Sequence, residues 1–144
     1  IAKYTELAKN GDLEIAVQLG VSFYEIGQKT VGEDTMWIDQ DYERAHQFFE
    51  LAAQQGHARA VAYLGEMYLK GHYVEKNALN AVAQFERASA MNDAMGLYHL
   101  GMLHYNGQSV SQDEEKAVSY FKQSAGLGYE KAVTRLKKWA EVNK

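Results

Sequence analysis

The stretch Ala62–Gly71 reads AYLGEMYLKG. Leu64 and Tyr68 stand at helical spacing, with Gly65 between them. A glycine in a helix interior costs roughly 1 kcal/mol relative to alanine, so its position requires a physical reason. The cluster recurs at Gln18-Leu19-Gly20 and His99-Leu100-Gly101. A ring follows three residues after each glycine, as Phe23, Tyr68 and His104, and Gly71 and Gly107 follow six residues after the last two. A glycine that recurs in this way reads as a packing requirement. The expected cause is close approach between two helices of one unit, with Gly65 facing a partner helix near Ala81.

Working outward, a second block repeats in step with the first. Ile38, Val74 and Val110 precede Asp41, Asn77 and Asp113 by three residues. Ala45, Ala81 and Ala117 follow, then Phe49, Phe85 and Phe121, then Ala52, Ala88 and Ser124. Gly56, Asn92 and Gly128 close the units, and Gly11 closes a preceding half-unit. A fixed period of this size marks a solenoid of stacked supersecondary units. Each unit reads as two helices. Helix A is predicted over Leu13–Ile26, Ala58–Lys70 and Ala94–Tyr105, and helix B over Tyr42–Gln55, Ala78–Met91 and Glu114–Ala125. Asp41, Asn77 and Asp113 sit where a short acceptor bonds the free amides of a helix's first turn. Gly56, Asn92 and Gly128 sit where a left-handed residue ends one. Ala2–Asn10 matches the end of a helix B, and Glu130–Glu141 matches a helix A.

The pattern Leu-Gly-x-x-Tyr-x-x-Gly, Val-x-x-Asp/Asn-x-x-x-Ala, x-x-x-Phe-x-x-Ala/Ser and a closing Gly resembles the Sel-one-like repeat, a branch of the tetratricopeptide superfamily. The second and third units follow it well, and the first departs by an insertion. The resemblance implies an all-α, right-handed α/α superhelix of three hairpins with a leading helix and a C-terminal capping helix. The single domain would divide into a leading helix at 1–10, repeats at 11–55, 56–91 and 92–127, and a cap at 128–144. The resemblance also implies a protein–protein adaptor, and it favours a bacterial periplasmic or secreted setting over a cytoplasmic one. A helix at the uncapped leading end would expose Tyr4 and Leu7.

In the superfamily, one stripe of helix A lines a concave groove. Carried over by register, that stripe comprises Val17, Val21, Tyr24 and Glu25, then Ala62, Glu66, Leu69 and Lys70, then Tyr98, Met102, Tyr105 and Asn106. The cap would add Thr134 and Lys138. Tyrosine and methionine suit an interface centre, so the set is expected to hold a peptide or helix of a partner. The competing reading packs these side chains between neighbouring A helices. The insertion lies within 27–40, GQKTVGEDTMWIDQ, where Gly20 to Ala45 spans nine residues more than the matching intervals. Met36 and Trp37 could contact a partner there, or Trp37 could fold back over the edge of its hairpin.

Composition narrows the function classes. The 144-residue chain has 47% hydrophobic residues, enough for one core, and a net charge of −4 without the basic patch of a nucleic-acid binder. No apolar run is long enough to span a membrane. There are no cysteines, which removes disulfides, thiolate metal sites and a cysteine nucleophile but fixes no compartment. The first residue is Ile1, so an upstream segment is expected. His46, His57, His72, His99 and His104 show no metal-ligand spacing. His104 is expected in the core, and His99 in solvent or at a seam. No catalytic constellation is found, so no cofactor, metal or catalytic residue is assigned, and a monomer is expected. The alternative class is a cell-envelope module that binds glycan or a cell-wall enzyme complex.

Overall fold

The structure, a computed structural model, describes residues 1–25 and 27–143. Among them run eight helices: α1 (Ala2–Lys9), α2 (Leu13–Tyr24), α3 (Tyr42–Ala53), α4 (Ala58–Lys70), α5 (Ala78–Ala90), α6 (Ala94–Asn106), α7 (Glu114–Gly126) and α8 (Glu130–Val142). The chain is an all-α solenoid of hairpins α2/α3, α4/α5 and α6/α7, each B helix also packing on the A helix that follows. The predicted end of the first A helix, Ile26, lies outside the described residues.

Local chemistry sets the boundaries. Asp41, Asn77 and Asp113 accept from the amides of Arg44, Asn80 and Lys116 at 3.0–3.1 Å, so each B helix starts on the expected cap. Asn92, without glycine's freedom, adopts φ 61° after α5. Short polar side chains tolerate that left-handed conformation better than others do.

The helix glycines meet their partner at a different residue from the one expected. A Cβ on Gly65 would lie 2.7 Å from the Phe85 ring, and one on Gly101 would lie 2.7 Å from the Phe121 ring. Gly20 repeats this against Phe49 at 2.5 Å. The nearest contact of Gly65 is therefore with the aromatic one turn beyond Ala81, while at Gly101 the carbonyl of Ala117, the counterpart of Ala81, also stands 3.2 Å from such a Cβ. Phe49, Phe85 and Phe121 are fully buried. Ser124, in the small-residue position after Phe121, donates to the Ala94 carbonyl at 2.7 Å and ties α7 to α6.

The insertion is neither loop nor helix. It forms an antiparallel hairpin of β1 (Gly27–Val31) and β2 (Asp34–Ile38), with Gln28 opposite Trp37 and Thr30 opposite Thr35. Val31 and Ile38 are buried against the solenoid. The hairpin covers the leading helix: Tyr4 is buried and donates to Asp34, while Gly32 approaches the Tyr4 ring so closely that a Cβ would stand 2.5 Å away. This corrects the expectation of an open Tyr4–Leu7 face. Only Leu7 of the two is exposed, because the inserted hairpin occupies the space over Tyr4.

Candidate functional site

The A helices carry the candidate surface, and burial along it changes from one end to the other. In the first repeat, Val17 and Tyr24 are buried and Val21 is half-buried. In the second, Ala62 and Glu66 are buried, Leu69 is half-buried and Lys70 is exposed. In the third, Tyr98, Met102 and Tyr105 are half-buried and Asn106 is exposed. On the cap, Thr134 and Lys138 are exposed. Val17, Tyr24, Ala62 and Glu66 therefore depart from the expectation of groove exposure.

Register explains the departure. Glu66 follows the helix glycine of its repeat, and His99 precedes the Leu-Gly pair of the next. Their side chains meet, with His99 Nε2 3.5 Å from Glu66 Oε1. These two positions form the seam between consecutive A helices rather than an open wall. Tyr24 is covered by rings from the following elements: Tyr42 at 5.4 Å, Tyr63 at 5.8 Å and His72 at 5.5 Å between centroids. Among the described residues no comparable set stands over Tyr105, which meets the Arg135 guanidinium 5.0 Å from its ring centroid.

The seam holds a polar cluster in an aromatic setting. Lys70 Nζ lies 3.3 Å from Glu66 Oε1, the same oxygen that faces His99. Burial pushes the Glu66 carboxyl up, but His99 and then Lys70 outweigh it and hold the group down at about 2. The His99 ring stacks on Phe85 at 4.5 Å, and Tyr98 meets it edge-on at 5.4 Å. Burial, reinforced by the Glu66 charge, raises the Tyr24 hydroxyl far above the ordinary phenol range. Burial also lowers His72. The Tyr24 hydroxyl and His72 Nδ1 are hydrogen-bonded at 2.8 Å. Tyr63 and Tyr129 are each pushed up to about 12, chiefly by burial. Near Tyr129, Arg59 pairs with Asp93 at 2.9 Å and stands 5.8 Å over the Tyr129 ring.

The open part lies between α6 and α8. A depression of about 320 Å³ is lined by Tyr98, Glu130, Lys131, Thr134, Arg135 and Lys138. A second, of about 180 Å³, shares Arg135 and Lys138 and adds Tyr105, Phe121, Trp139 and Val142. Tyr105, Arg135 and Lys138 thus sit in one surface that combines rings, cationic ends and aliphatic stems. Arg135, Tyr63 and Tyr129 escaped the sequence reading. Arg135 and Tyr63 occupy the same register as His99, and that shared position was the available signal.

The histidines and the insertion also differ from expectation. His104 is half-buried rather than in the core: its ring stacks on Tyr120 and its Nδ1 faces the Ser111 carbonyl at 3.2 Å. Among the described residues, no group of His, Asp and Glu is placed to hold a metal ion, and no helix is long and apolar enough to cross a membrane. Met36 is half-buried on the hairpin's inner side. Trp37 is 68% exposed and so does not fold back over the edge, since its place in the pleat points it away from buried Val31 and Ile38. The Trp139 indole is half-buried and donates to Glu114 at 2.7 Å.

Comparison with known proteins agrees with the architecture. The family model described as Sel1 repeat matches residues 16–57, 58–93 and 94–129. The crystal structure of a Sel1 repeat protein from Oxalobacter formigenes is 28% identical, covers 96% of this chain and 97% of its own, and superposes with a TM-score of 0.70. Cysteine rich protein B of Helicobacter pylori is 29% identical over 65% of this chain and 71% of its own, with a TM-score of 0.58. The protective antigen c5321 of uropathogenic Escherichia coli shares the fold at 24% identity, over 91% of this chain and 26% of its own, with a TM-score of 0.73. No curated protein matches the chain.

Proposed function

Because the chain belongs to the Sel1 repeat family, whose members are generally non-catalytic scaffolds for protein–protein interaction, we propose that it binds a peptide or helix of a partner protein on the A-helix face between α6 and α8. The observation that carries this reading is the half-buried row Tyr98, Met102 and Tyr105 beside the Arg135–Lys138 depression. Aromatic, methionine and arginine side chains are enriched at interface centres, and a few such anchors supply most of the binding energy. Lys138 adds a long stem that packs while its charge stays in water. The buried end of the same face, around Val17, Tyr24 and Glu66, is assigned to repeat packing and leaves the proposed site.

The test pairs binding with folding. A phage-displayed peptide library is selected on the immobilised chain, and the enriched peptides are titrated against Met102→Glu and Tyr105→Glu. The expected result is at least a tenfold loss of affinity in each variant, with helical content and midpoint of unfolding near those of the parent. Loss of folding in both variants would assign the row to packing. Enriched peptides that bind both variants normally would move the site elsewhere.

A further inference from the structure

The inserted hairpin is a feature that repeat packing does not use fully. It is held firmly. Val31 and Ile38 are buried, the Gly32 amide donates to Gln18 Oε1 at 2.8 Å, Tyr4 donates to Asp34, and Lys29 pairs with Glu25 at 2.8 Å. Its outer face carries Gln28, Thr30, Thr35 and Trp37, and the Thr30 and Thr35 hydroxyls are 3.2 Å apart. Trp37 stays exposed on this rigid base while its indole donates to Asp39 at 3.1 Å. A cavity of about 290 Å³ adjoins the ring, lined also by Asp39, Gln40, Asp41 and Arg44.

The charge around this face is predominantly negative, although Lys29 lies on the hairpin and Arg44 lines the cavity. Residues 1–50 hold ten Asp and Glu against four Lys and Arg, whereas residues 51–144 hold nine against eleven. Of the four cations, Lys29 pairs with Glu25, and Arg44 stands 3.6 Å from Asp41 and over the Phe23 ring. Asp39 is engaged only with the indole N–H, and Glu33 stands exposed at the hairpin turn among the described residues. An exposed indole face attracts cations through its ring quadrupole, guanidinium most often. Neighbouring carboxylates accept the fork of the same group. A net negative field also steers a cationic partner toward the surface.

We propose that the hairpin is a second docking surface, on which an arginine-bearing segment of a partner protein lays a guanidinium over Trp37 and beside Asp39. The hairpin is preformed, so little ordering accompanies binding. The surface is separate from the α6–α8 face in both location and charge.

The two indole N–H resonances of the ¹⁵N-labelled chain give a direct readout, one for Trp37 and one for Trp139. The probes are the peptides Gly-Arg-Gly-Arg-Gly-Arg and Gly-Glu-Gly-Glu-Gly-Glu. The arginine peptide is expected to move the Trp37 resonance in a saturable, salt-sensitive way and leave that of Trp139 in place. The glutamate peptide is expected to move neither. Trp37→Ala, and separately Glu33→Gln with Asp39→Asn, should weaken binding about tenfold, followed on the hairpin amides. An arginine peptide that leaves the hairpin resonances unmoved overturns the proposal. So does equal affinity for the parent and Trp37→Ala, which would leave only diffuse attraction to an acidic end. These variants lie outside the α6–α8 face, so either failure leaves the peptide-binding reading of that face standing.

Discussion

At the scale of single residues, the helix glycine and its ring are one device. Gly65 gives up about 1 kcal/mol of helix propensity, and in return the Phe85 ring lies flush against the α4 backbone, where a Cβ would stand 2.7 Å away. Gly65→Leu should destabilise the chain by ~1–3 kcal/mol through overpacking, measured by urea unfolding. A neutral result would show that the ring swings aside freely. Glu66 makes a second case. Its folded carboxyl sits at about 2, below its ordinary 4.5, because His99 and Lys70 outweigh the burial that would raise it. A carboxyl depressed on folding stabilises above its unfolded pKa and loses that contribution as pH falls toward its folded one. Glu66→Gln should therefore cost ~1–3 kcal/mol at pH 7. That deficit should shrink between pH 4.5 and pH 2, read from urea midpoints of parent and variant across the range. A deficit constant with pH would mean that the carboxylate's charge contributes nothing.

At the scale of elements, helix boundaries were legible because their chemistry is local. Asp113 caps α7 through an amide three residues away, and Phe121 announces its burial by recurring with Phe49 and Phe85. The hairpin was not legible. Its strands alternate only weakly, and its burial depends on Tyr4 and Gln18, which come from other elements. The site was half legible for a related reason. A register carried from one repeat to the next treats all units alike, yet Tyr24 is covered by Tyr42, Tyr63 and His72, while Tyr105 faces the Arg135 guanidinium and lines a depression with Trp139. Two of the three groups over Tyr24 (Tyr63 and His72) belong to the next unit's sequence and not to its own. Removing nine residues from 27–40, to match the other repeats, should therefore release α1, because Tyr4 loses both Asp34 and the Gly32 contact. Amide exchange in α1 should accelerate at least tenfold, with α4–α7 unchanged. Unaltered protection of α1 would show that α2 holds it alone.

At the scale of the whole molecule, most packing is between neighbouring units, so stability is shared unevenly along the chain. The larger buried cluster spans Tyr4 to Met67 and adds Ala88 and Met95, while a smaller one joins Ala81, Val82 and Phe85 to Leu100 and Leu103. At the far end, α8 buries only Ala132. The half that carries the proposed α6–α8 site thus has the thinner core, and local opening draws on regions with few buried contacts. Gly101→Leu tests this distribution. A Cβ there would stand 2.7 Å from the Phe121 ring and 3.2 Å from the Ala117 carbonyl, so the larger side chain forces α6 and α7 apart. Separation of that pair removes the base on which α8 packs, whereas α2 and α3 keep every neighbour they had and α4 keeps its largest contact, with α5. Native-state hydrogen exchange should lose protection at least tenfold across α6, α7 and α8, with α2–α4 within a factor of about two of the parent, as a nearest-neighbour array requires. Equal loss in all helices would mean that the two clusters unfold as a single cooperative unit, and the α6–α8 face would then be as rigid as the rest of the solenoid.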